Sequence, residues 1–320
     1  MKIAVLYGGT SAEREISLQS GETVARELSQ KQHDVALFDT KDEFIHALRT
    51  YQPDVVYPAL HGRMGEDGTV QGLLEFLGYP YVGSGVQASA NAIDKVMTKR
   101  ILRTYGLPLA KEYIIEKRDW EFQRIDEEAM ERIAQTIGWP MIIKPNQEGS
   151  TIGLTLASTT QEARQGIEEA LRYDSAILME EYITGMEVTA AVTDTDQGIR
   201  VLGIIEIVPK ASYYDFASKY ATGGSQHILP ARLSTEQMNA IEGIAINAFK
   251  ALQCRDYARV DLIVSATKGP VILEVNTLPG MTATSLVPDA ARYAGYTLGD
   301  FLDELVTRAF RRKKSSKSNV

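Results

Sequence analysis

One cysteine, Cys254, stands in 320 residues. No disulfide can therefore close within the chain, and no cysteine-rich metal site can form. That suits a reducing compartment, and a cytoplasmic location is expected. Histidine is scarce as well: His33, His46, His61 and His227 are the four. None lies four residues from another, which removes the helical histidine pair of a zinc enzyme. No run of 18 apolar residues occurs, so no spanning helix and no membrane role are expected. The opening Lys2-Ile-Ala-Val-Leu-Tyr7 reads as a strand, not a signal peptide. Positive charge is outnumbered, with 34 Lys and Arg against 42 Asp and Glu and a net charge of −8. That balance argues against a nucleic-acid partner. No Gly-Lys pair exists anywhere, which excludes the Walker A phosphate loop. Ser150 has no adjacent histidine and Cys254 no partner, so covalent catalysis by the protein is not expected.

What is present is ordinary for a globular chain, 44% hydrophobic and 24% charged, and long enough for two or three domains. The first part alternates short apolar strands, Ile3–Tyr7, Val35–Phe38 and Val55–Leu60, with helical segments. Such spacing predicts βαβ units and a parallel sheet, with ligands beyond the carboxyl ends of the strands. The loops Gly8–Arg14 and His61–Gly68 are then the informative ones. His61 ends a strand inside the glycine-rich loop, where a polar role is expected; His33 and His46 are expected to be solvated. Gly83-Ser-Gly85-Val-Gln-Ala88 superficially matches a dinucleotide fingerprint, but no acid follows at the distance needed to hold a ribose. It reads as a tight turn before a helix.

The expected organisation is an α/β chain, α+β overall, in three units: 1–93, 94–178 and 179–320. Arg311–Val320 is expected to be a frayed, solvated tail. In the middle unit Lys144 ends a strand and precedes Gly149-Ser-Thr-Ile-Gly153. The glycines let backbone N–H groups approach an anion, and the lysine adds a point charge; an ordinary hairpin turn is the other reading. Glu180 and Glu187 read either as surface acids or as acceptors in a nucleotide cleft. Tyr213–Tyr220 is an aromatic loop, read as a lid or as a packed surface segment.

Near the C-terminal end stand Arg259-Val-Asp261-Leu-Ile-Val and Val271-Ile-Leu-Glu274-Val-Asn276. Side chains alternate along a strand, so Glu274 and Asn276 share a face, and a turn at 265–270 brings Asp261 opposite. Two carboxylates and an amide oxygen in one small volume repel and cost desolvation unless a hard cation joins them. Oxygen-only donors favour Mg²⁺ or Mn²⁺ over zinc. A structural ion pair between a carboxylate and Arg259 is the alternative, and the strands alone leave both open.

Taken in order, these pieces resemble the D-alanine–D-alanine ligases of the ATP-grasp superfamily across nearly the whole chain. The residues that carry the resemblance run from Gly8-Gly-Thr-Ser-Ala-Glu-Arg-Glu-Ile-Ser-Leu18 through Leu60-His-Gly-Arg63, Gly65-Glu-Asp-Gly-Thr69, Asp94-Lys95, Lys144-Pro and Glu148-Gly-Ser150. They continue with Tyr214–Tyr220, Arg259-Val-Asp261, Glu274–Thr282 and Ser285-Leu-Val-Pro288. The resemblance implies a three-domain ATP-grasp fold with an N-terminal parallel-sheet domain. It implies ligation of two D-alanines to D-alanyl-D-alanine, with ADP and phosphate released, through a D-alanyl phosphate, for peptidoglycan precursors. ATP would be co-substrate with two Mg²⁺ (or Mn²⁺) per site, and a homodimer is the family habit.

By the same resemblance Lys95, Lys144 and the Gly149–Gly153 loop would hold phosphates, with Lys219 reaching in from the lid. Glu180 and Glu187 would contact adenine and ribose; Asp261, Glu274 and Asn276 would bind the metals. Glu13 would anchor the first D-alanine's ammonium, linked to Ser150 and Tyr220. Arg259 and the Gly280 N–H would stabilise the tetrahedral oxyanion. Ser285 and Leu286 would bind the second substrate's carboxylate at a helix N-terminus, and His61 is counted among the substrate residues. Tyr220 resembles the dipeptide-forming class, not the ester-forming relatives that use D-lactate. A non-catalytic nucleotide binder on the same scaffold and a two-metal phosphohydrolase are the rival classes. The first would have lost a metal ligand or Arg259; the second would want more acidic and histidine ligands.

Overall fold

The computed structural model describes residues 1–122, 124–149, 152–209 and 225–317. The N-terminal unit carries β1 (Lys2–Tyr7), α1 (Arg14–Gln30), β2 (Asp34–Asp39), α2 (Phe44–Tyr51), β3 (Val55–Pro58), α3 (Thr69–Leu77) and α4 (Val86–Ile93). Its three strands are parallel in the order β2-β1-β3. Central β1 buries Ile3, Ala4, Val5 and Leu6 completely, as a parallel strand covered on both faces must. The carboxyl ends point to the two loops named above, and Gly8, Gly9 and Gly62 there all have positive φ.

Next come α5 (Lys95–Thr104), β4 (Glu112–Glu116), α6 (Lys117–Glu121), α7 (Glu127–Ile137), β5 (Met141–Pro145), β6 (Thr155–Ala157), α8 (Thr160–Ala170) and β7 (Ala176–Glu181). The strands form an antiparallel sheet, β4-β7-β5-β6. Asp126 caps α7 and Thr159 caps α8 through side-chain oxygens, each satisfying an amide that the first turn cannot. Both helices lay an apolar stripe (Ile133, Ile137, Ala163 and Ile167) on Ile143 and Ile177 of the sheet.

The last part holds β8 (Met186–Thr195), β9 (Gly198–Pro209), β10 (Ser225–Ile228), α9 (Thr235–Ala251), β11 (Tyr257–Ser265), β12 (Gly269–Asn276), α10 (Leu286–Tyr293) and α11 (Leu298–Lys317). Its sheet runs β10-β9-β8-β11-β12, antiparallel throughout. Helix α9 opens with a capping box, Ser234 with Gln237, and buries Ile241, Ala245 and Phe249 under the sheet. The parallel sheet and the two antiparallel ones bear out the α/β, α+β reading. Among the described residues, no helix is long and apolar enough to cross a membrane.

Four expectations need correction. The boundary at 178 falls inside β7, which pairs along its whole length with β4 and β5; the chain changes sheet only between Glu181 and Met186. Helix α5, expected to open the middle unit, sends Leu102 into the core shared with α9 and β8. His33 is not solvated: its ring lies between the amino terminus (3.3 Å) and Asp303 Oδ1 (2.7 Å).

The expected tail begins too early as well, because α11 stays helical to Lys317. Arg311 reaches Asp196, and Arg312 forks onto Asp256, with Nη2 at 2.7 Å from Oδ2 and 2.9 Å from the Tyr81 carbonyl. Asp256 is fully buried and also accepts from the Gly83 amide. One guanidinium thus ties both the N-terminal loop and the C-terminal sheet to α11. Arg312→Ala strands a buried carboxylate, and the expected loss is about 3 kcal/mol of stability, read as a lowered thermal midpoint.

Candidate active site

The register of β11 and β12 sets Asp261 opposite Glu274 and Arg259 opposite Asn276. With the two-residue period of a strand, these four side chains share one face. A register shift after Asp261 bends the strand just beyond them, the usual place for a bulge beside a functional site. Asp261 is buried. Its Oδ1 accepts from the Thr189 hydroxyl at 2.6 Å and from Arg259 Nε at 2.9 Å, and its Oδ2 accepts from Arg259 Nη2 at 2.9 Å. The ion pair that the strands left open is therefore present, bidentate, and built into the same face as the converging oxygens.

That donor set suits a hard cation. Asp261, Glu274 and Asn276 offer oxygen alone, with two carboxylates paired across the strands. Among the described residues no group of three or more His, Cys, Asp or Glu gathers for a metal; this set has two acids and an amide. Asn276 Oδ1 accepts from the Leu278 amide at 3.1 Å, which fixes the side chain as the strand ends. Asp261 Oδ2 accepts only from Arg259, which leaves one of its lone pairs for a metal.

Two lysines converge from another direction. Lys144, at the end of β5, and Lys99, on α5, both grip the carboxylate of Glu180, one on each oxygen. Glu180 is buried. Burial alone would push its carboxyl up, but the two ammonium groups outweigh it and hold it well below the usual range. This pairing is complete above the ordinary glutamate range and is lost as pH falls from there towards the depressed value. Lys144 is pushed up despite its burial, chiefly by Glu180, with a further contribution from Glu274. Lys99 also donates to the Ala110 carbonyl at 3.2 Å and stands 3.4 Å from Glu112 Oε2. Glu180, expected to accept from adenine, is here the counterion of two lysines. Glu187 begins β8 beside Ile263, half-buried.

Lys95 opens α5, and its Nζ donates to the Glu148 carbonyl at 2.7 Å. Asn146 returns the favour, its Oδ1 accepting from the Val96 amide at 2.9 Å. The loop after β5 is thus moored to α5. Glu13 is buried where the first loop meets α1. A Cβ on Gly149 would come within 2.8 Å of Glu13 Oε2, and one on Gly62 within 3.1 Å. Two backbones from different units therefore close on that carboxylate, and a side chain at Gly149 would have to push it aside. Arg63 crosses the same seam, from Glu148 Oε1 (2.9 Å) to the Tyr173 carbonyl (3.0 Å).

Between these groups lies a small cavity of about 50 Å³, lined by Glu13, Lys95, Gly149, Arg259, Glu274 and Asn276 among others. Six residues named from five separated stretches of sequence thus face one space. Ser285 stands immediately before α10 and Leu286 begins it, the helix N-terminus that was expected. The Ser285 hydroxyl accepts from the Thr282 amide at 3.0 Å, and a Cβ on Gly280 would fall 2.9 Å from it. His61 is buried with both ring nitrogens engaged by protein, at the Leu278 carbonyl and the Ser20 hydroxyl. That leaves neither nitrogen for a substrate. Ser150, Lys219, Tyr220 and the rest of Tyr213–Tyr220 lie outside the described residues.

Lys99 and Ser20 were missed in the sequence. Lys99 had a signal, since it lies four residues after Lys95 and so on the same face of α5. Ser20 had none, being one more small polar residue in a helix. Cys254 is buried, and burial pushes its thiol up to about 12, so no nucleophile is found there.

Comparison with known proteins places these features in a family. The model of the D-ala D-ala ligase C-terminus matches residues 101–307, and that of the D-ala D-ala ligase N-terminus matches 2–51 and 39–84. A D-alanine–D-alanine ligase of Halalkalibacterium halodurans is 46% identical over 313 residues, covering 98% of this chain and 100% of its own length. One of Moorella thermoacetica is 46% identical over 97% and 99% of the two chains. Among solved structures, the Bacillus anthracis D-alanine–D-alanine ligase complexed with ATP superposes with a TM-score of 0.83 at 29% identity, covering 99% of each chain. A D-Ala:D-Ser ligase of Enterococcus faecalis gives 0.81 at 29% identity, over 96% and 99%.

Proposed function

The chain belongs to the D-alanine–D-alanine ligase family, and from that premise we propose how its own residues divide the reaction. The enzyme is an ATP-dependent ligase that joins two D-alanines, with ATP as co-substrate. The observation that carries this reading is the shared cavity. It brings Glu13, from the N-terminal unit, to the same space as Lys95, Arg259, Glu274 and Asn276.

A carboxylate does not acylate an amine in water, so the first D-alanine is activated as an acyl phosphate. Its ammonium sits against Glu13 and its carboxylate points at the γ-phosphate. Lys95, Lys144 and the amides from Gly149 onward neutralise the phosphates, which is most of what phosphoryl transfer needs from a protein. Lys144 leaves Glu180 for the nucleotide while Lys99 stays behind, so Glu180 is not stranded as an unpaired buried charge. Bound Mg²⁺ or Mn²⁺, held by Asp261, Glu274 and Asn276, would supply further charge neutralisation at the phosphates. Lys219, Ser150 and Tyr220 are assigned to the lid side of the same site.

The second D-alanine binds with its carboxylate at the start of α10, at Ser285 and Leu286. Its amine attacks the acyl carbon, and phosphate leaves. Arg259 and the Gly280 amide hold the oxyanion that forms; donors of that kind contribute about 3–4 kcal/mol each. Glu187 is assigned to the ribose. A cytoplasmic location, a homodimer and a place in peptidoglycan precursor synthesis belong to the same proposal. If D-alanine carrying ¹⁸O in its carboxylate is the substrate, the released phosphate should contain one ¹⁸O per turnover. Unlabelled phosphate would eliminate the acyl phosphate route.

Two substitutions probe the tight approaches. Gly149→Ala should push the Glu13 carboxylate aside and raise KM for D-alanine roughly tenfold or more, with KM for ATP less affected. Gly280→Ala should displace the Ser285 hydroxyl and weaken the second D-alanine selectively, again by roughly tenfold. Steady-state kinetics at saturating ATP separates the two D-alanine sites, because they appear as two terms in the concentration dependence.

A further inference from the structure

Four protein groups outside the substrate cavity form one closed hydrogen-bonded chain around the segment that carries the oxyanion donor. His61 Nδ1 lies 3.0 Å from the Leu278 carbonyl, and His61 Nε2 lies 3.2 Å from the Ser20 hydroxyl. The Ser20 oxygen accepts from the Met281 amide at 3.1 Å. Ser20 is fully buried and His61 nearly so. A carbonyl can only accept, so Nδ1 carries a proton. Ser20 already accepts from Met281, and its own hydroxyl proton needs an acceptor in a buried place. A neutral ring supplies one at Nε2. Every donor and acceptor in the chain then has one assignment: the Met281 amide to Ser20, the Ser20 hydroxyl to Nε2, and Nδ1–H to Leu278.

The two ends of this chain are Leu278 and Met281, and Gly280 lies between them. Ser20 sits on α1 and His61 follows β3, so both belong to the N-terminal unit, whereas the 278–281 segment leaves β12 of the C-terminal sheet. A Cβ built on Gly280 would be 3.9 Å from the Ser20 hydroxyl, which sets how closely the clamp approaches the donor. We propose that Ser20, through His61 held as the neutral Nδ1–H tautomer, is a positioning residue that aims the Gly280 amide at the reacting carbonyl. The proposal rests on the assignment of Gly280 as an oxyanion donor. Neither Ser20 nor His61 lines the cavity. Their effect falls on where one N–H points when the tetrahedral centre forms, and a misplacement of about 1 Å at such a donor costs roughly a hundredfold in rate.

Ser20→Ala tests this with three readouts. Alanine suits a helix interior, so the variant should fold. The expected results are a kcat lower by roughly ten- to a hundredfold, a KM for ATP within about twofold of the parent, and a mixture of tautomers. The last is read from the side-chain ¹⁵N shifts of His61, where the parent should show a single Nδ1–H form. Ser20→Cys, which keeps a weak donor and acceptor of similar size, should recover part of the rate. If Ser20→Ala folds poorly, the Cys variant and the ¹⁵N spectrum of the parent decide the matter. A kcat within twofold of the parent for Ser20→Ala, a rate loss that only follows the folded fraction, or an Nε2–H ring in the parent would each overturn the proposal. If the parent itself releases no ADP with D-alanine, the assigned reaction fails, whereas the spectra still report on the clamp.

Discussion

Glu274→Gln is expected to lower turnover by roughly a thousandfold or more, about 4 kcal/mol in barrier height, with little change in thermal midpoint. Glutamine keeps the shape of the side chain, so β12 should pair as before. What is lost is a charge, and its position makes the loss severe. The strand register sets Glu274 opposite Asp261, and it is one of the groups that keep Lys144 protonated. With the amide, a hard cation held there would lose one of its two anionic ligands, and the phosphate side would lose its alignment to it. Raising Mg²⁺ should recover only part of the rate, because affinity returns with concentration but geometry does not. Steady-state kcat at saturating ATP and D-alanine, titrated with Mg²⁺, is the measurement. A kcat within tenfold of the parent would remove Glu274 from the site.

Arg259 is expected to give the second large effect, and to give it twice. Arg259→Ala should reduce kcat by roughly a hundred- to a thousandfold, the cost of one oxyanion donor. It should also lower the thermal midpoint in the absence of metal, because Asp261 is buried and both of its oxygens accept from Arg259. Removing one partner of such a pair leaves an uncompensated charge. Mg²⁺ should then raise the midpoint of the variant more than that of the parent, since in the variant the cation compensates a buried carboxylate that Arg259 already compensates in the parent. Arg259→Lys keeps the charge but not the fork, so it should recover stability and little of the rate. Equal Mg²⁺-induced shifts in the parent and in Arg259→Ala would contradict a cation held at Asp261.

Much of this site was legible because its logic is local. Strand alternation put Glu274 and Asn276 on one face, and a glycine-containing turn was enough to bring Asp261 across from them. Lys144 at a strand end and the serine before α10 were placed from a few adjacent residues. The parts that were not legible depend on partners far away in the chain. Arg312 looked like the start of a solvated tail because nothing nearby shows that it meets Asp256. The edge of the middle unit was misplaced because β7 alternates like any strand, and its sheet is decided by pairing with β4 and β5. Whether Arg259 pairs with a carboxylate was left open by the sequence, and only the strand geometry shows it occupied with Asp261, two residues on. Buried helix serines such as Ser20 gain a meaning only when the segment they touch is known.

The assignment is tested most directly by ADP release, with the product identified, for D-alanine, for L-alanine and for D-alanine with D-lactate. The expected result is Mg²⁺-dependent ADP release with D-alanine, matched mole for mole by D-alanyl-D-alanine, with L-alanine inert and the dipeptide still dominant when D-lactate is present. Appreciable ADP release with L-alanine alone, or ADP without dipeptide from D-alanine, would contradict it.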